Sequence, residues 1–294
     1  MNTAAHAPGA AAARHRWRRP LLWGALVLLL VVAQTLLVVL TLEYESGRAQ
    51  ERVDEAAVGV AAELRQVLAR DLQQLQALLW NDPSPQQWHA DAAKLLRQRP
   101  QLLRIEMRDP QLNVIDVVDT PFGTAPFQRI ARADLDIETR LACAAAQRAG
   151  SPWYSHSYFL PLADGLGAEV IDVCIPVQRD GRLVGHMAAT VALSRLLAES
   201  AAADVARHHA LTFVEGDGTR LAHAGQSRGA GVYSAERVVE VPGLVLQLRL
   251  DSDAGRPSLI PNVATALVLG LSLALAAVVA LLARDVRRRA RAET

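Results

Sequence analysis

Lysine is almost missing from this chain: Lys94 is the only one, and every other basic side chain apart from histidine is arginine. No glycine-rich loop ending in lysine exists, so P-loop phosphate chemistry is excluded. A dinucleotide fingerprint is absent too, because Asp164-Gly165-Leu166-Gly167 is not followed by a third glycine at the needed spacing. The eight histidines show no metal-ligand spacing, and the adjacent His208 and His209 would point to opposite faces of an extended strand. Nothing here assembles a catalytic constellation, so no catalytic residue, cofactor or metal is expected. Cysteine is scarce as well. Cys143 and Cys174 leave two readings open, a pair of buried free thiols or one disulfide tying a helix to a strand.

Charge is missing from two long stretches. Neither Leu21 to Leu42 nor Asn262 to Ala283 carries a charged residue. About 20 apolar residues cross a hydrocarbon core of about 30 Å, so each stretch predicts a transmembrane helix. The first is too long for a cleaved signal peptide and has no small-residue cleavage site after it, so it is expected to remain as an anchor. Arg14, Arg16, Arg18 and Arg19 precede the first stretch, and Arg284, Arg287, Arg288, Arg289 and Arg291 follow the second. By the positive-inside rule both ends face the cytoplasm of a bacterial inner membrane, and the middle of the chain lies outside it. These arginines abut membrane spans and lack interleaved aromatics, so nucleic acid is not an expected partner. The formal net charge of +1 says nothing further about partners.

Proline is absent from Glu43 to Trp80, where Val53, Val60, Leu64, Val67, Leu68, Leu72, Leu75 and Leu79 recur at helical spacing. One long amphipathic helix is expected, closed by Asn81-Asp82-Pro83. At about 1.5 Å per residue it would run roughly 55 Å, more than a small core needs, so part of its stripe is expected on a partner helix in a homodimer. A second helix should start at Ser84-Pro85, followed by a hairpin over 103–108 and 114–118, a helix over 134–148 and a strand over 154–160. Strands over 169–177 and 183–191 flank the Asp180-Gly181 turn, and a short helix follows from Leu193. Four more strand-like segments lie between Ala201 and Asp251. The fold class read from this order is α+β: two transmembrane helices flanking a tandem PAS-like domain with a long N-terminal helix. The expected divisions are a tail at 1–20, a span at 21–42, the long helix at 43–81, a larger domain at 82–200, a reduced one at 201–258, a second span at 259–283 and an exit helix at 284–294.

The segments Ser151-Pro-Trp-Tyr-Ser-His-Ser-Tyr-Phe159, Ile171-Asp-Val-Cys-Ile-Pro-Val177, Pro242-Gly-Leu-Val-Leu-Gln-Leu-Arg-Leu-Asp251 and the exit from Ala283 to Glu293 together resemble the sensor half of C4-dicarboxylate sensor histidine kinases. The resemblance implies a periplasmic double PAS-like (Cache) domain that binds succinate, fumarate or malate in its larger half and signals to a cytoplasmic kinase and response regulator. The sequence departs from that family by stopping at Thr294, without the phosphorylated-histidine helix or the nucleotide-binding domain. It is therefore either the sensor part of a longer kinase or a kinase-less regulatory protein acting by contact with a transporter or a full receptor.

A dicarboxylate needs charge-assisted donors, best from the planar fork of arginine, with Ser, Tyr and His in support. Arg104 and Arg108 on the first strand, Arg129, Arg132 and Arg140 on the following loop and helix, and Tyr154, Ser155, His156 and Tyr158 are the candidates. The set favoured is Tyr154, His156, Tyr158, Arg104, Arg140 and Ser155. If that strand is regular, alternation puts Tyr154, His156 and Tyr158 on one face and Ser155 on the other. Asp172 would either hold an arginine in place or face solvent.

Overall fold

The computed structural model describes residues 10–123, 125–161, 167–226, 228–257 and 263–292. The chain divides into two compact units, one made of 1–48 with 256–294 and the other of 49–255.

The first unit holds the apolar part of helix α1 (Ala10–Ala77) and helix α6 (Val263–Ala292). Both are long and apolar enough to cross a membrane, and none of their most hydrophobic windows is buried by protein. Leu29 is 70% exposed and Leu273 72%. Water would not tolerate so large an uncovered apolar surface, whereas lipid matches it. Gln34 of α1 and Ser272 of α6 hydrogen-bond to each other, which satisfies both polar groups inside an otherwise apolar pair. Two such helices, with arginine clusters on their outer ends, enclose the second unit in the sequence, the arrangement of a multi-pass inner-membrane protein with both termini cytoplasmic.

In the second unit α1 continues as an amphipathic helix. Its turns tighten after Ala77 through Leu78 to Leu75 and Trp80 to Ala77 backbone bonds, and the chain then reverses at Asn81 and Asp82, both with positive φ. Helix α2 (Pro85–Gln98) starts where the sequence places it: Ser84 caps the amide of Gln87, and Pro85 occupies the first turn, where its missing N–H leaves no bond unmade.

Two antiparallel sheets form among the described residues. The larger runs β2 (Val114–Asp119), β1 (Leu102–Arg108), β6 (Arg182–Ala192), β5 (Gly167–Arg179), β3 (Trp153–Tyr154), with β4 (Tyr158–Pro161) also paired to β5. The smaller runs β8 (Arg220–Gly225), β7 (His209–Val214), β10 (Leu244–Ser252), β9 (Ser234–Val241). Helices α4 (Leu193–Ser200) and α5 (Ala203–His208) link them. This is the α+β architecture of a tandem PAS-like domain with a long leading helix.

The larger sheet is covered on both faces, which explains why β5 reads as a nearly unbroken buried run. Ile171, Val173 and Ile175 join the core with α1 and α2, while Asp172 and Cys174 point to helix α3 (Ile137–Ala149) on the other side. The smaller sheet is covered on one face only: Leu244, Leu246, Leu248 and Leu250 are buried, and Val245 between them is 61% exposed.

The long stripe on α1 is used within the chain. Val53, Val60, Leu64, Val67, Leu68 and Leu75 are all buried in the one core that runs under both sheets. The expectation that the helix is too long for its own core is therefore corrected, because two sheets share it. Arg65 reaches the carbonyl of Val238 (2.7 Å) in the smaller sheet, and Gln101 donates to Asp71 (2.7 Å) beside the larger one. The helix expected over 134–148 is a 3₁₀ turn, Arg132–Leu135, followed by α3 and closed by Gly150 in the left-handed conformation. The strand expected over 154–160 is broken into β3 and β4, since Ser155 to Ser157 carry no ladder.

Candidate functional site

Strand alternation sends Arg104, Glu106 and Arg108 of β1 to the α3 face of the larger sheet, with Ile105 in the core opposite. Asp172 of β5 and Thr190 of β6 are register partners on that same face. Thr139 comes down from the first turn of α3, and Arg132 from the 3₁₀ turn before it. The side chains of Glu106, Arg108, Arg132, Thr139, Asp172 and Thr190 thus meet in the interior.

Arg132 is the hub. Its guanidinium donates to Asp172 (2.8 Å), Glu106 (3.1 Å), the Tyr158 hydroxyl (2.9 Å) and Thr139 (2.8 Å), and it lies over the Phe127 ring at 4.5 Å. Asp172, fully buried, accepts also from Thr190 (2.6 Å), Tyr158 (2.9 Å) and Thr139. Arg108, equally buried, forks onto both oxygens of Asp136 (2.6 and 3.0 Å) and donates to Glu106 (2.9 Å). Burial alone would raise the Asp172 carboxyl, but the Arg132 charge and the hydroxyls of Thr139 and Thr190 outweigh it and hold it below the ordinary carboxylate range. Burial and the neighbouring Asp172 push the Tyr158 hydroxyl well up, so it stays protonated and serves as a donor.

Two buried guanidinium groups face three carboxyl groups here, Glu106, Asp136 and Asp172, and the half-exposed Arg140, 3.7 Å from Asp136, supplies the third positive charge, so the set is balanced. One oxygen of Glu106 is buried without a hydrogen-bond partner among the described residues. Clusters of charge with an unfilled acceptor are costly to bury.

Cys143 and Cys174 are joined as a disulfide with Cα atoms 5.1 Å apart. Cys143 lies one helical turn after Thr139, and Cys174 is the next residue on the Asp172 face of β5, so the bridge pins α3 to the sheet beside the cluster.

The sequence-derived candidates scatter. Tyr158 belongs to the cluster. Ser155 sits behind it, accepting from the Asp172 amide (2.8 Å) and donating to the His156 carbonyl. Arg104 is held on Asp119 (2.6 and 3.0 Å) and also lies over the Phe127 ring, at 4.9 Å. Arg140 is half exposed and reaches Asp136 at 3.7 Å. Tyr154 points the other way, into the core under α1, and His156 is 79% exposed beside Glu138. The shared Tyr154, His156 and Tyr158 face is thus corrected: the break between β3 and β4 shifts the phase of alternation, so Tyr154 and Tyr158 occupy opposite sides of the sheet. Asp136, Thr139 and Thr190 went unnoticed in the sequence because their roles depend on the pairing of elements far apart in it.

A cavity of about 1020 Å³ lies on the α1 face of the same sheet between Leu79, Trp88, Met107 and Val177. It holds no buried ionic cluster; its Arg179–Asp82 pair sits on the exposed rim. No protein-family description matches the sequence, and no curated protein does. Among solved structures the chain is similar to ligand-binding domains of bacterial chemoreceptors. One is the Pseudomonas aeruginosa PAO1 amino acid chemoreceptor PctB in complex with L-Gln (TM-score 0.47, 16% identity, 76% of this chain and 98% of that one). Another is the Pseudomonas fluorescens chemoreceptor CtaA in complex with L-valine (TM-score 0.46, 13% identity, 71% and 99%). The P. aeruginosa amino acid chemoreceptor PctC with GABA is matched at a TM-score of 0.45 and 14% identity, over 70% and 98%.

At the end of the cluster His186, opposite Arg108 in the ladder, is fully buried, with neither ring nitrogen bonded among the described residues. Burial is the main cause that pushes its imidazole below the usual value; the Asp109 backbone pulls it upward, and the Arg108 charge adds a smaller downward push. Below about pH 6.5 the unfolded chain takes up a proton that the folded chain resists, so stability should fall as pH drops through and below that value. Melting curves between about pH 7 and pH 5 should show this decline, and His186→Leu should flatten it. An unchanged slope in the variant would assign the acid sensitivity elsewhere.

Proposed function

We propose that this chain is the sensing part of a transmembrane signalling receptor, and that its envelope-side unit holds a small organic molecule at the Arg132–Asp172 cluster. The observation that carries the reading is the set of buried, opposite charges between sheet and α3, with one Glu106 carboxylate oxygen left over. A ligand entering such a set competes for it: a carboxylate draws Arg132 from Asp172, and an ammonium group takes up Asp172 and the spare oxygen of Glu106. A molecule bearing both groups leaves every charge paired. A C4-dicarboxylate, which the family resemblance implies, would instead add two negative charges to a set whose charges already balance. An amino-carboxylate is therefore the favoured ligand class, with the C4 acids as the second reading.

The signal would follow from competition. When Arg132 exchanges Asp172 for a ligand, the 3₁₀ turn and α3 lose one of their attachments to the sheet, and the populations of two arrangements of the lid shift. Delivery to a cytoplasmic kinase and response regulator rests on the family resemblance; the alternative is a kinase-less partner that acts by contact.

The test is thermal stabilisation of the full chain in detergent against a panel of single amino acids, succinate, fumarate, malate and simple amines. At a ligand concentration of about 100 Kd, binding adds about 2.7 kcal/mol of apparent stability, an easily measured rise in melting temperature. We expect that rise with at least one amino-carboxylate and none with the dicarboxylates. A shift with the C4 acids alone would reverse the choice of ligand class, and silence across the panel would favour the contact-mediated reading.

A further inference from the structure

The segment that frames Asp172 also touches the second sheet. From Trp153 to Tyr158 the chain makes three hydrogen bonds around Asp172: the Ser155 amide donates to its carbonyl (2.8 Å), its amide donates to the Ser155 hydroxyl (2.8 Å), and the Tyr158 hydroxyl donates to its carboxylate (2.9 Å). One residue earlier, the Tyr154 amide donates to the carbonyl of Pro242 (2.8 Å), in the turn between β9 and β10. Gly243 follows with φ of +92°, and a Cβ built on it would lie 2.2 Å from the Trp153 indole nitrogen and 2.4 Å from the Tyr154 carbonyl. Only glycine fits both the dihedral and the space. Helices α1 and α4 and a contact of β5 with β8 also connect the two sheets, but none of these reaches the turn that leads into β10.

We propose that the Trp153–Tyr154 contact with Pro242–Gly243 is the joint through which a change at Asp172 reaches the smaller sheet. It rests on the reading of the Arg132–Asp172 cluster as the ligand site. The physical basis is that the joint is short and closely packed, a backbone hydrogen bond flanked by the Trp153 indole against Gly243, so a displacement of β3 meets no open space in which to be taken up. The moved element would be β10, which starts at Leu244 immediately after the turn and ends at Ser252; the next element in the chain is the apolar helix α6. The joint thus links the cluster to the strand that leads to the second span. Such a link counts as coupling only if a perturbation on one side is felt on the other.

The experiment is amide hydrogen exchange on the full chain in lipid nanodiscs, with two substitutions that perturb the cluster without any ligand. Ser155→Ala and Tyr158→Phe each remove one of the three bonds around Asp172 and leave its charge pair with Arg132 in place. Each should speed exchange in residues 244–252 about fivefold or more relative to the unsubstituted chain. Placed in a Trp153→Ala or Gly243→Ala background, the same substitutions should still speed exchange in 170–174 but leave 244–252 unmoved. The proposal is overturned if 244–252 do not respond in the otherwise native chain, or respond equally in both joint variants. Because no ligand enters the measurement, a failed ligand titration would count against the binding site alone.

Discussion

Asp172→Asn is expected to cost about 3 to 5 kcal/mol of folding stability, because it leaves the Arg132 guanidinium buried with its main counter-charge gone. Asp172 is completely buried and holds Arg132 at 2.8 Å, while Thr139, Thr190 and Tyr158 all aim donors at it. The amide of asparagine would present two of its own donors to that ring of donors. A domain of ordinary stability has about 5 to 15 kcal/mol in all, so the loss is a large fraction. Urea denaturation of the full chain, read by fluorescence of the exterior tryptophans, measures it. Removing both partners together, as Asp172→Leu with Arg132→Met, should recover much of the loss, since no orphan charge remains. The sign of the pH effect follows from the depressed Asp172 pKa: its contribution is present above the unfolded carboxyl value of about 3.9 and is lost as pH falls below it. A loss within about 0.5 kcal/mol for the single variant would mean that the cluster is solvated and the account of its energetics is wrong.

The second large effect is expected from the disulfide. Cys143 and Cys174 are 31 residues apart, and closing a loop of that length in the unfolded chain is worth about 4 kcal/mol on the chain-entropy view. Cys143→Ala with Cys174→Ala should lower stability by about that amount, and reductant should affect the native chain but not the variant. The bridge also fixes α3 one turn from Thr139 and fixes β5 beside Asp172. The variant should therefore bind ligand more weakly as well as melt earlier. Equal stability of the two forms with and without reductant would show that the bond contributes nothing to the fold.

Much of the architecture was legible because it follows from local patterns. The uncharged stretches, the proline-free helix, the Ser84-Pro85 start and the Asp180-Gly181 turn each announce themselves within a few residues. The cluster was legible in part. Alternation along β1 put Arg104, Glu106 and Arg108 on one face, and Arg132 and Asp172 were visible as candidates, but nothing local says that they meet. Register does that: Asp172 faces Thr190 across the β5–β6 ladder, and α3 folds back to bring Thr139 onto both. The Tyr154 to Tyr158 reading failed for a physical reason of the same kind. Alternation holds only while a strand is continuous, and here the ladder stops after Tyr154 and resumes at Tyr158. The length argument for α1 failed because the second sheet, small as it is, needs its own stretch of that helix.

A crystal structure of the chain grown with the amino-carboxylate that stabilises it most is the most direct test of where and what this protein senses. The account predicts the ligand between α3 and the larger sheet, its ammonium group on Asp172 and Glu106 and its carboxylate on Arg132. Density for the ligand in the cavity between Trp88, Met107 and Val177, with Arg132 still on Asp172, would contradict it.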